Sequence, residues 1–153
     1  MIDTVAENVV SIYTNVQDGE DIDTKGLAIQ LKTIFGIENI EALKLLENKV
    51  QIYLPDLKYY DDEYAVKYSH APNYFKIASK AINEMIKQVG TTTFDNNGIM
   101  QKGVIVRHLV LPNQILQTKR ILNWIKGNLP LETHISIMAQ YFPTFNAKNI
   151  PEI

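Results

Sequence analysis

Val104-Ile-Val-Arg-His-Leu-Val-Leu111 is an eight-residue run closed by Pro112, and within it Arg107 and His108 alone are polar. A β-branched run of that length between turn residues predicts a strand buried on both faces. Val50 to Leu54, ended by Pro55, repeats the pattern upstream, and Thr133 to Met138 repeats it downstream. Between the first two runs, DDEYAVKYS predicts a short helix. A longer helix follows, with Pro72 at its first position, Gln88 at its end and Gly90 as its stop. Phe75, Ile77, Ala78, Ala81, Ile82 and Met85 make its apolar stripe. Asp95-Asn96-Asn97-Gly98, flanked by Thr91 to Phe94 and Ile99 to Lys102, reads as a β-hairpin turn. Ile115 to Ile125 predicts a helix carrying Leu122 and Trp124, and the tail from Phe142 onward reads as irregular.

Strand, helix, strand, helix, strand is the order of parallel βαβ units. Upstream of them, Asp23 caps a predicted helix with Leu27, Leu31, Ile34 and Phe35 on one side and Gly36 at its end. Asn39 caps a second run, IEALKLLEN, whereas VAENVVSIY fits either a helix or a short strand. No repeat, low-complexity tract or Gly/Ser linker interrupts the chain, so one domain over residues 1–153 is expected.

Composition narrows the function classes. With 15 Lys and Arg against 17 Asp and Glu, the net charge of -2 gives no field that favours nucleic acid or an anionic membrane. No apolar stretch reaches the roughly 18 residues of a membrane span, and Met1-Ile2-Asp3 lacks the basic start of a signal peptide, so a cytoplasmic protein is expected. Cysteine is absent, which excludes disulfides, thiolate nucleophiles and Cys-based zinc sites. His70, His108 and His134 are scattered, with no HExxH pairing, and no catalytic or metal-binding set is assigned. The acidic turn DGEDID lacks the glycine and glutamate positions of a calcium loop and reads as a helix-capping turn.

Three segments carry a resemblance: QIYLPDLKYYDDEYAVKYSHAPNYFKIASKAINEMIKQVG (51–90), GIMQKGVIVRHLVLP (98–112) and ISIMAQYFPTF (135–145). In that order, over roughly Leu45 to Phe145, they resemble the later strands of radical S-adenosylmethionine proteins of the pyruvate formate-lyase activating enzyme-like family. The resemblance implies an α/β fold, here a partial (β/α) barrel with about three parallel strands and covering helices. Residues 49–145 would be its later strands, and residues 1–48 a truncated or condensed N-terminal part. In that family, three cysteines of a CxxxCxxC loop hold a [4Fe–4S] cluster, followed by strands ending near Gly-Gly-Glu, TPTH and YNTSGYE. QDGEDIDTKGLAIQLKTIFG is similar to the segment just after the cluster loop, yet Ile37 to Glu41 leads directly into ALKLLENKVQIYLPD. That implies two losses, an N-terminal one and an internal one. With no cysteine, no cluster is expected in this chain.

For the residues present, the resemblance implies that Asp56, Lys58 and Arg107 line the pocket that holds S-adenosylmethionine. Gln140, with Tyr141, follows the last strand, which meets the adenine. A zwitterionic ligand suits a few fixed charges of both signs, and residues two apart at a strand end share a face. Without the resemblance, Asp56 and Lys58 read as a solvated turn. Arg107 and His108 are consecutive and point to opposite faces. Arg107 is assigned to the pocket and His108 to the underside of a helix or the outer surface. Asn113 stands where the family has glycine, and asparagine tolerates the left-handed turn. The implied function is a truncated or degenerate activating enzyme, not catalytic alone. Its alternatives are half of a split enzyme or a non-catalytic interaction module using an open sheet edge. The implied partners are a complementary barrel half or a glycyl-radical enzyme.

Overall fold

The structure is a computed structural model, and it describes residues 11–13, 40–44, 46–143 and 145–153. The helix expected from Asp23 to Gly36 and the cap at Asn39 lie outside the described residues. In chain order the elements are β1 (Ser11–Tyr13), α1 (Ile40–Lys44), β2 (Ile52–Leu54), α2 (Asp62–Ser69), α3 (Tyr74–Val89), β3 (Thr93–Phe94), β4 (Met100–Leu109), α4 (Ile115–Asn128) and β5 (His134–Met138), followed by a 3-10 turn (Phe145–Asn149).

β4 is the centre of the sheet. Its register with β2 is parallel, Ile52 opposite Gly103 and Tyr53 opposite Val104, and a further bridge joins Asp56 to Arg107 beyond Pro55. On its other side β5 runs parallel, from Ile105 opposite His134 to Leu109 opposite Met138. The three apolar runs of the sequence thus become neighbouring parallel strands, but not a segment of a barrel. The expected partial (β/α) barrel with about three parallel strands is overturned by a mixed, open sheet. β1 pairs antiparallel with β2, from Ser11 opposite Leu54 to Tyr13 opposite Ile52, so the edge where a barrel would continue is already taken. β3 pairs antiparallel with the first part of β4, on the side that β5 uses farther along.

The hairpin and the central strand are one element, because β4 starts at Met100 and runs through Gly103 without a break. Gly103 has a φ of +148°, and a Cβ there would stand 2.7 Å from Thr92 Oγ1, so glycine lets the chain before β3 press against the central strand. Asp95 closes the hairpin by accepting the Asn97 and Ile99 N–H groups on Oδ1 at 2.9 and 2.8 Å.

β2 to β4 and β4 to β5 step in the same direction, and right-handed crossovers then place their helices on one face. Side chains confirm it. Tyr53 Oη donates to Gln88 Oε1 of α3 at 2.7 Å, and His108 Nε2 meets Thr118 Oγ1 of α4 at 2.8 Å. α3 buries Tyr74, Ala78, Ala81, Ile82, Met85 and Val89, so the expected stripe holds at Ala78, Ala81, Ile82 and Met85, while Phe75 and Ile77 are only half-buried and Tyr74 and Val89 complete the face. Pro72 precedes the helix, whose first turn follows Asn73 in a left-handed conformation. The core on this face includes Tyr53, Leu57, Val106, Ile82 and Ile121, each at or below 1% exposure. Burial of such side chains contributes about 1.5–3 kcal/mol apiece. No helix among the described residues is long and apolar enough to cross a membrane.

Candidate functional site

Residues on the opposite face of the sheet are half-buried and not fully enclosed: Ile52, Leu54 and Asp56 along β2, and Ile105, Arg107 and Leu109 along β4. Strand periodicity puts Asp56 and Arg107 on this face, and the bridge between the two residues places them side by side. Arg107 Nε donates to Asp56 Oδ1 at 2.7 Å, and Lys58 Nζ lies 3.9 Å from Asp56 Oδ2. The Asp56 side chain is 11% exposed, against 24% for both cations. Burial pushes the Asp56 carboxyl above the usual carboxylate range, and Lys58 and then Arg107 pull it back only in part. One carboxylate between two cations is thus gathered at the C-terminal ends of β2 and β4.

The backbone behind these charges is tied down by groups from three elements. Arg107 N–H donates to Pro55 O, and Leu57 N–H donates to Arg107 O, both at 2.8 Å. Tyr74 Oη, at the start of α3, accepts the Lys58 N–H at 2.9 Å and donates to Asp56 O at 3.1 Å. His108 Nδ1 lies 2.7 Å from Leu57 O, an acceptor, so Nδ1 carries the proton. Nε2 then accepts the Thr118 hydroxyl proton. His108 is 1% exposed, and burial lowers its pKa below the ordinary imidazole value, against the pull of the Leu57 carbonyl. It lies under α4, the first of the two placements the sequence left open.

The following loop is fastened to α4 in the same manner. Gln117 Oε1 accepts the Tyr60 and Asp61 N–H groups at 3.1 and 2.9 Å, and its Nε2 donates to Asp61 Oδ2 at 2.6 Å. Arg120 pairs with that carboxylate and lies 4.4 Å over the Tyr60 ring. Asn113 adopts φ +57°, so the turn after β4 keeps the left-handed geometry without glycine.

Of the residues singled out from sequence, Asp56, Lys58 and Arg107 are brought together. Gln140 is exposed two residues beyond β5 and lies outside the hydrogen bonds of the triad. Tyr74 was missed as a contributor. It is 16 residues from Lys58, and its hydroxyl shows no pattern beyond a helix-start aromatic. Among the described residues no group of three or more His, Asp or Glu is placed to hold a metal ion.

The chain is similar to Uncharacterized protein MJ0674 of Methanocaldococcus jannaschii, 32% identical over 115 residues, which cover 74% of this chain and 30% of the relative. The chain thus spans about a third of the length of the curated relative it matches. No family model matches the chain, and no solved structure matches it.

Proposed function

We propose that the chain contributes a binding rim for S-adenosylmethionine of the kind used by radical S-adenosylmethionine activating enzymes, and that it is not catalytic by itself. The observation that carries the reading is the convergence of Asp56, Lys58 and Arg107 at neighbouring strand ends. An amino-acid ligand brings an ammonium and a carboxylate. The ammonium would add a third cation beside a carboxylate that burial has made costly to ionise, while Arg107 and Lys58 offer donors to the ligand carboxylate. The cluster of such enzymes does not fit the residues present, because it requires thiolates and the chain has no cysteine. In the intact enzyme class the cluster and S-adenosylmethionine together supply the radical. This chain's part is to bind and orient the amino-acid end of the ligand. A cytoplasmic setting belongs to the same proposal, since S-adenosylmethionine is an intracellular metabolite.

The test is an NMR titration with S-adenosylmethionine to the millimolar range, where an open site of this kind is expected to bind. Shifts centred on the amides of Asp56, Lys58 and Arg107, and lost in Arg107→Gln, support the proposal. Saturating ligand without such shifts overturns it.

A second reading is favoured by β5. Among the described residues its outer edge has no strand partner, and Ile135 and Ile137 are 38% and 54% exposed. A neutral edge of this kind accepts a strand from another chain. That chain could be a complementary one bearing the cluster cysteines, or a glycyl-radical enzyme. Mass measured by light scattering across a concentration series, alone and with a cysteine-bearing candidate, separates an interaction module from an isolated rim.

A further inference from the structure

The charged triad does not sit on a free turn. Along the two peptide groups that join Asp56, Leu57 and Lys58, three backbone polar atoms are each held from behind by a buried side chain. Tyr74 is 3% exposed, and its hydroxyl spans the first and the third by taking the Lys58 N–H and giving its own proton to Asp56 O. His108 holds the second through Leu57 O. Both come from the helix side of the sheet, whereas the side chains of Asp56 and Lys58 emerge on the other side, beside Arg107. Thr118 Oγ1 fixes the imidazole by donating to Nε2 at 2.8 Å. The tyrosine is held in its turn, since its backbone N–H donates to Asp62 Oδ1 at 3.1 Å and its ring meets Tyr59 edge-on at 5.4 Å.

We propose that Tyr74 and His108 are positioning residues that lock the peptide from Asp56 to Lys58, fixing the carboxylate and the ammonium against Arg107 in one arrangement. The lock deepens the ligand reading for the same site, and its purpose there is selectivity. A preorganised pair of opposite charges favours a ligand whose own ammonium and carboxylate are held at a fixed short spacing, as in an α-amino acid, over a ligand with either charge alone. A mobile turn would accept both kinds. In that role neither residue touches the ligand.

The experiment works on the free chain first, so that failure of the lock and failure of the ligand reading are separable. Tyr74→Phe removes one hydroxyl and leaves the ring. The Lys58 amide should exchange about tenfold faster or more, the order expected when a buried hydrogen bond is lost. The Asp56 carboxyl should titrate at lower pH as its surroundings open to water, and the Arg107 Nε proton should lose its downfield position. A core variant of α4, Ile121→Val, lowers global stability without touching the lock, and should move neither the Asp56 titration nor the Arg107 resonance. His108→Asn places an amide donor where Nδ1 stands and should preserve the Asp56 titration, whereas His108→Leu should not. If Tyr74→Phe and His108→Leu leave both resonances as in the wild type, the lock is overturned whether or not S-adenosylmethionine binds. A measurement that needs no variant stands beside these: imidazole nitrogen shifts must report His108 protonated on Nδ1, and an Nε2–H tautomer also overturns the proposal. With ligand, the lock predicts that Tyr74→Phe weakens S-adenosylmethionine more than it weakens a simple amine or carboxylate. Equal weakening would remove selectivity as the purpose.

Discussion

The two faces of β4 differ in how they treat polar groups. On the helix face, His108 and Tyr74 are almost fully enclosed, and each of their polar side-chain atoms has a partner at 3.1 Å or less. On the opposite face, one residue away along the same strand, Arg107 keeps a quarter of its side chain in solvent and pairs with a carboxylate that burial has made costly to ionise. The first arrangement minimises the cost of burying polarity, and it specifies geometry. The second retains charge at the surface where a solute can reach it. Alternation along a strand lets one segment do both, because rigidity on one side positions charge on the other.

The difference in packing between the two faces should give the largest difference in stability. Ile121→Ala, inside the helix-side core, should cost about 2–5 kcal/mol in urea unfolding. Leu109→Ala, half-buried on the other face, should cost less than half as much. Equal losses would mean that the charged face is enclosed as tightly as the core and leaves no room for a solute.

The sequence made the parallel strands legible because each is a run rich in β-branched residues, two of them stopped by proline, and the opposite placement of Arg107 and His108 followed from strand period alone. What it concealed was pairing. Ser11 to Tyr13 fit helix or strand equally, and its choice of the β2 edge is what turned an expected partial barrel into a mixed sheet. The union of hairpin and central strand was hidden too, since the sequence separates Ile99 to Lys102 from Val104 to Leu111 at Gly103, which in the fold serves as a point of close approach within one strand. In the site, charges two apart in sequence could be grouped from periodicity, whereas the hydroxyl of Tyr74 reaches them through the fold and left no local trace.

A smaller effect sharpens the charged side. Asp56→Ala removes the anion that lies between two cations, at a cost of about 1–3 kcal/mol. Asp56→Asn, which keeps an acceptor for Arg107 Nε, should recover part of it. A loss under the error of the unfolding measurement for both variants would show that the triad is as weak as an ordinary surface pair.

The pH dependence of stability should carry opposite signs from the two faces. The folded state resists protonation of His108, so the unfolded chain takes up that proton first, and stability is lost as pH falls below about 6.5. One proton limits the slope to about 1.4 kcal/mol per pH unit. The folded state favours protonation of Asp56, so this group works the other way at more acid pH: stability falls as pH rises from the unfolded carboxyl value to the raised folded one. Denaturation curves at closely spaced pH should therefore show a slope below pH 6.5 that disappears in His108→Asn. A slope unchanged in that variant would assign the acid sensitivity to another group.

The smallest effect expected is that of Lys58→Ala on stability, well under ~1 kcal/mol. Its ammonium lies 3.9 Å from Asp56 Oδ2, at the limit of an ion pair and a quarter exposed, where water and salt screen most of the attraction. The backbone of the residue keeps its bond to Tyr74 whatever side chain it bears, so the lock behind it is undisturbed. A ligand carboxylate would feel the change more, because it would lose one of the two cations that offer it donors. Thermal unfolding and an S-adenosylmethionine titration on this one variant therefore separate fold from function. Unchanged stability with weakened ligand shifts assigns Lys58 to the rim. Unchanged stability with unchanged shifts would move the ligand's contacts elsewhere and leave the triad as a strand-end ion cluster with no role in binding.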